Sequence, residues 1–203
     1  MSTTTEFYEI HAQDFSRSRY RIWPSVASFL DALPSNSTVL DIGCGNGKNM
    51  IHRQDLTMVG LEQSKALCDI CINRNLNVVQ GSALSLPFKD NTFDAIIMIA
   101  VIHHIHPEEQ IKVLEEIQRV LKPSANASAL ITNWAVEQPD DGRRTFVPGL
   151  NMVKWKGKEI DPLPYWVMNK EMAEEFSQKM PEGIKCKNLS WGGGNWEFII
   201  QKS

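Results

Sequence analysis

The sequence has no apolar run approaching the roughly 20 residues that cross a bilayer, so no membrane partner is expected. Its first residues, Met1-Ser-Thr-Thr-Thr5-Glu6, lack the basic and apolar segments of a secretion signal. The expectation is an intracellular, cytoplasmic location, with the nucleus as an alternative. Basic excess is missing too: 21 Lys and Arg stand against 24 Asp and Glu, a formal charge of -3. A freestanding nucleic-acid binder normally carries a basic footprint, so only local clusters remain for that role. Arg17, Arg19 and Arg21 form one; Arg143, Arg144, Lys154, Lys156 and Lys158 form another around Trp155. Four cysteines, Cys44, Cys68, Cys71 and Cys186, show no paired framework. Cys68-x-x-Cys71 has no companion pair and falls in an expected helix, so buried thiols and no metal are expected.

What the chain does have is ordinary globular composition, 42% hydrophobic and 22% charged, over 203 residues, a length suited to one domain. Its most informative stretch is Thr38-Val-Leu-Asp41-Ile-Gly43-Cys-Gly45-Asn-Gly47, an apolar strand running into an acid and a glycine-rich turn. The run reads as a buried parallel strand. Gly43, Gly45 and Gly47 can adopt positive φ and bring backbone amides to a ligand at the start of the next helix. The spacing is G-x-G-x-G rather than the G-x-G-x-x-G that cradles a pyrophosphate. Asp41 would repel a pyrophosphate and welcome a ligand ammonium. Glu62 closes the next apolar run, where α/β nucleotide folds place a carboxylate for both ribose hydroxyls.

Residues 6–33 read as a helical cover interrupted near Pro24, with Phe15, Ile22, Val26, Phe29 and Leu30 on its apolar side. A helix is expected over 64–73, then a short strand, 78–80, at the sheet edge, which could dock another protein's strand. Gly81-Ser82-Ala83 follows, with Ser82 the nearest polar group to an adenine. Residues 93–100 form a central strand leading into His103-His104, beyond the carboxyl ends of the strands, where a substrate crevice lies. At least one imidazole should face it. Residues 107–121 read as a helix with Ile111, Leu114, Ile117, Val120 and Leu121 inward. A fifth strand, 128–133, delivers Trp134 and Glu137-Gln138 to the same rim. Residues 138–168 are broken by Asp140-Asp-Gly142, Pro148-Gly149 and Pro162-Leu-Pro164 and read as a long irregular insertion. A helix from Asn169 to about 180 and two strands joined by Gly192-Gly-Gly194 complete the chain. The fold class is therefore α/β, a doubly wound, mostly parallel seven-stranded sheet ending in an antiparallel hairpin. It forms one domain: cover 6–33, core 36–134, insertion 138–168, and C-terminal helix and hairpin 169–203.

The glycine turn, Leu84-Ser-Leu-Pro87-Phe88, Ala100-Val-Ile-His103-His104 and Val120-Leu-Lys-Pro123 resemble a class I S-adenosylmethionine-dependent methyltransferase over about 36–134. Tyr8-x-Ile10, Phe15-Ser-x-Ser-Arg19-Tyr-Arg21-x-Trp23-Pro24, Asn133-Trp134-Ala135-Val-Glu137-Gln138 and Phe146-Val-Pro148 narrow the likeness. They are similar to the eukaryotic tRNA wobble-uridine carboxymethyl methyltransferases along nearly the whole chain. Ser82 departs from the usual acid, and Pro123-Ser124-Ala125 from the common Pro-Gly-Gly.

The resemblance implies S-adenosylmethionine as cofactor, held by Asp41, Gly43, Gly45, Gly47, Glu62, Ser82, Ala83 and Ala100. It implies as substrate the carboxylate of 5-carboxymethyluridine at position 34 of the tRNA anticodon loop, and a small zinc-binding activator protein on the third-strand edge. A carboxylate needs no general base, so the site must hold an anion in line with the methyl. Arg19 and His103, with Arg17, Arg21 and His104 nearby, are expected to orient it. Trp134 is expected to stack on the base, with Glu137, Lys154 and Lys156 toward the RNA. The alternatives are a small-molecule methyltransferase and a non-catalytic subunit of the same fold.

Overall fold

The computed structural model describes residues 4–139, 144–155 and 162–202. In chain order the elements are α1 (Thr4–Ser18), α2 (Pro24–Asp31), β1 (Thr38–Ile42), β2 (Thr57–Glu62), α3 (Lys65–Asn73), β3 (Val78–Gln80) and β4 (Ala95–Ile99). There follow α4 (Pro107–Val120), β5 (Ser128–Trp134), β6 (Gly149–Val153), β7 (Leu163–Val167), α5 (Lys170–Gln178), β8 (Ile184–Gly192) and β9 (Asn195–Lys202). The main sheet runs β3-β2-β1-β4-β5-β9-β8. Its first five strands are parallel, and β9 is antiparallel to both β5 and β8. Strand order reverses between β1 and β4, and a doubly wound sheet opens its ligand crevice at that point, beyond the carboxyl ends.

The continuous apolar residues of β4, and the apolar residues on both sides of β1, require cover on both faces, and they have it. On one face Val113, Leu114, Ile117 and Val120 of α4 pack with Leu40, Ile96 and Ile131. Burying each such side chain contributes about 2 kcal/mol. On the other, Val26 and Leu30 of α2 meet Val39 and Ile97. The inward stripe of α4 is rotated from the sequence expectation: Ile111 is 41% exposed and Val113 is buried. Gln110 is drawn inward instead, where Nε2 donates to the carbonyls of Ile102 and Ile105 at 3.3 and 3.1 Å.

Two further expectations are corrected. No helix follows the glycine turn; Gly47, Met50 and His52 instead close successive turns, donating to the carbonyls of Cys44, Gly47 and Asn49. Gly43, Gly45 and Gly47 all have positive φ, 68°, 58° and 75°, and alternate left-handed residues cannot propagate a right-handed helix. The insertion is not wholly irregular, because β6 and β7 pair antiparallel. Both strands are edges, where Pro164 costs little. The turn at 140–142, Arg143, Lys156 and Lys158 lie outside the described residues. Among those described, no helix is long and apolar enough to cross a membrane.

Candidate active site

Two adjoining cavities open at the carboxyl ends of the strands. The first, of about 350 Å³, is walled by Gly43, Gly45, Glu62, Ser82, Ala83 and Ala100, six of the residues singled out for a cofactor. Asp41 and Gly47 stand behind that wall. A Cβ on Gly47 would meet Leu76 Cδ1 at 2.2 Å, so this glycine serves the packing of the turn on the α3–β3 segment. The three glycine amides are satisfied within the protein. Gly43 donates to the Leu61 carbonyl at 2.7 Å, Gly47 to Cys44 at 2.9 Å, and Gly45 to Glu62 Oε2 at 2.9 Å. What the turn offers a ligand is missing side chains, not free amides.

The two acids differ in their surroundings. Glu62 Oε1 accepts from the amides of Gln63 and Ser64 at 2.8 and 3.0 Å, so three N–H groups fix its carboxylate. Burial still lifts it above the ordinary carboxylate range. Asp41 is 1% exposed; Oδ2 accepts only from Asn49 Nδ2 at 3.4 Å, and Oδ1 has no partner among the described residues. Burial raises it to about 7. An orphaned, buried carboxylate beneath a bare glycine turn suits a cationic ligand, which would supply the missing charge.

The second cavity, of about 370 Å³, brings together Arg21, His103, Trp134 and Tyr165. Tyr8, Arg19, Trp23, Lys48 and Ala100 line both cavities and form the wall between them. Ala100 holds a left-handed φ of 57°, and its amide donates to Thr132 Oγ1 at 2.8 Å. A non-glycine residue kept there costs about 1–2 kcal/mol, and such strain is characteristic of functional sites. The single 3₁₀ turn Ile102–His104 then carries both imidazoles beneath the insertion. Burial, and then His104, holds His103 well below the ordinary imidazole range. Burial lowers His104 to about 4, and its Nε2 shares a hydrogen bond with the Tyr8 hydroxyl at 3.1 Å. Both rings are neutral at neutral pH.

Some expected site residues stand apart. Arg17 is largely exposed and pairs with Asp14. Glu137 Oε1 accepts from the Lys170 amide at 3.1 Å, and its carbonyl accepts from Trp191 Nε1 at 2.8 Å, which ties the β5 end to α5 and β8. His104 lines the first cavity rather than the second. Lys154 is exposed and borders neither, and Lys156 lies outside the described residues. Tyr8, Lys48, Trp155 and Tyr165 were not anticipated as lining residues. Lys48 directly follows the glycine turn, a signal the sequence did contain; Tyr165 sits in a segment that its prolines disguise. Arg144 places its guanidinium 4.6 Å from the centre of the Trp134 ring.

The fold and the twin cavities define a class I methyltransferase. A methyltransferase-domain family model matches residues 39–124. A chain from the complex between the Haloferax volcanii Trm112 methyltransferase activator and a putative methyltransferase superimposes with a TM-score of 0.70 at 14% identity, over 98% of this chain and 97% of that one. Among curated sequences, the tRNA (carboxymethyluridine(34)-5-O)-methyltransferase of Schizosaccharomyces pombe is 37% identical over 181 residues, 89% of this chain and 73% of the relative. The mouse protein of that name, ALKBH8, is 43% identical over 182 residues, 88% of this chain and 26% of its own length. The chain belongs to the tRNA (carboxymethyluridine(34)-5-O)-methyltransferase family. It spans 21% to 60% of the first five relatives it matches.

Proposed function

We propose that this chain methylates the carboxylate of 5-carboxymethyluridine at tRNA position 34, using S-adenosylmethionine and giving the methyl ester. The observation that carries the reading is the shared wall. A cavity lined by buried Glu62, with Asp41 behind its wall, adjoins one lined by aromatic rings, and Arg19 faces both. Relatives 36% to 46% identical bear the corresponding name.

Asp41 and Glu62 would hold the cofactor, Asp41 through charge and Glu62 through the ribose hydroxyls. When bound, S-adenosylmethionine supplies an electrophilic methyl on a sulfonium. Arg19 orients the carboxylate, and neutral His103, whose Nδ1 has no partner among the described residues, has a hydrogen bond to give or accept. Trp134 offers aromatic surface to the uracil, as single-strand RNA readers do. Because the nucleophile is already ionised, no side chain has to remove a proton.

The partner we propose is a small zinc-binding activator on β3. That strand ends the sheet with one unpaired edge, and Ile72 of the adjoining α3 is 58% exposed. The test is to incubate the chain, alone and with the activator, with S-adenosylmethionine and tRNA carrying carboxymethyluridine. Nucleoside mass spectrometry should find the methyl ester. A methyl group on any other position, or on metabolites alone, would reject the assignment.

A further inference from the structure

Two cations, Arg19 and Lys48, line the wall that the cavities share. Arg19 Nη1 donates to the Ser18 hydroxyl at 3.3 Å, and its guanidinium lies 5.8 and 5.5 Å from the ring centres of Phe15 and Trp155. Lys48 Nζ lies 5.5 Å from the centre of the Trp23 ring. Among the described residues no carboxylate forms an ion pair with either. Burial, and then the Arg19 charge, hold the Lys48 ammonium below its ordinary range, and Asp41 offsets them only in part. Like charges facing one another at a half-buried wall destabilise the fold unless an anion comes between them.

Their spacing is built. Asn46, 2% exposed, donates from Nδ2 to the carbonyls of Arg19 and Ser16 at 2.8 and 3.1 Å. Its Oδ1 accepts from the Lys48 amide at 3.2 Å. One side chain thus ties the backbone of both cations. Arg74 locks that tie, donating to the Asn46 carbonyl at 2.7 Å and to the Ser16 hydroxyl at 3.0 Å.

We propose that Lys48 is the second cation of a carboxylate clamp: with Arg19 it holds the substrate carboxylate at the wall between the cavities, and Asn46 is the positioning residue that fixes their separation. This rests on the carboxylate substrate proposed above. The clamp makes the charge of the side chain, rather than its shape, the specificity determinant. The carbamoylmethyl analogue, equal in size and neutral, leaves the two cations uncompensated and is rejected. The ester product is neutral as well, so the clamp releases what it has made.

The test uses the activator-bound protein with S-adenosylhomocysteine and compares affinity for tRNA carrying carboxymethyluridine with tRNA carrying its carbamoylmethyl counterpart. The unsubstituted protein should prefer the acid by at least about tenfold. Lys48→Gln should lose most of that preference and, in turnover with S-adenosylmethionine, raise KM for tRNA more than it lowers kcat, with cofactor affinity within about twofold; Lys48→Arg should restore much of it. Asn46→Ala should weaken the preference with both charges still present. If Lys48→Gln does not fold, Lys48→Met carries the same comparison. Retained preference in a folded Lys48 variant, or an equal loss of cofactor binding, overturns the clamp alone. Failure of the unsubstituted protein to methylate carboxymethyluridine overturns the underlying reading with it.

Discussion

Tyr165 lies against His103 with ring centres 4.5 Å apart and planes at 29°, so a strand of the insertion and the turn after β4 share one wall of the second cavity. The stacking belongs to a neutral imidazole, since burial keeps His103 far below its ordinary range. With S-adenosylmethionine saturating, so that Asp41 stays ionised against the bound cation, the pH profile of kcat/KM for tRNA should therefore show no inflection near the ordinary imidazole value of about 6.5. His103→Gln, which keeps a hydrogen-bonding group, should outperform His103→Phe by about tenfold. An inflection abolished by either substitution would restore a proton-transfer role.

With Asp41 as the acid that meets the cofactor's charge, cofactor binding should depend on pH. Its folded value, about 7, lies above the unfolded one, so the charged form that a cation needs is scarce below pH 7. Affinity measured by calorimetry should strengthen as pH rises through about 7 and weaken by up to about tenfold per unit below it. The sign reverses for the free protein. A carboxyl with a raised folded pKa takes stability away as pH rises from about 4 toward that value. Asp41→Asn has no such ionisation, so its stability relative to the unsubstituted protein should be more favourable at pH 8 than at pH 5. It should not bind the cofactor at either pH.

Gly47→Ala should destabilise the protein by about 2 kcal/mol or more, because the new methyl meets Leu76 and the residue must keep a φ of 75°. Thermal unfolding checks it. Shaving Leu76 to Ala in the same chain should recover only the steric part, leaving the backbone strain.

Arg19→Ala should leave cofactor affinity near its starting value while lowering kcat/KM for tRNA by at least about 30-fold. Equal loss of both would move Arg19 from the substrate to the cofactor.

The sheet was legible because its signals are local. Val39, Leu40 and Ile42 make an apolar strand broken only by Asp41, Glu62 ends the next, and Gly193 and Gly194 mark the final hairpin at φ values of 56° and 81°. Arg19, His103 and Trp134 stand out in the sequence as well, and they meet on one cavity. What the sequence withheld is long-range. The contact of Tyr8 with His104 spans 96 positions, and that of Asn46 with Arg19 spans 27. No periodicity encodes such pairings. The glycine turn misled for a related reason: its amides look free in sequence, yet Glu62, 17 positions away from Gly45, claims one of them.

The proposed acceptor of the methyl is a carboxylate oxygen. Radiolabelled S-adenosylmethionine, activator and tRNA carrying carboxymethyluridine should yield RNA-bound label that mild alkali releases completely as methanol, because only an ester is saponified under those conditions. Label that survives alkali on the nucleoside would place the methyl on carbon, nitrogen or ribose and contradict the account.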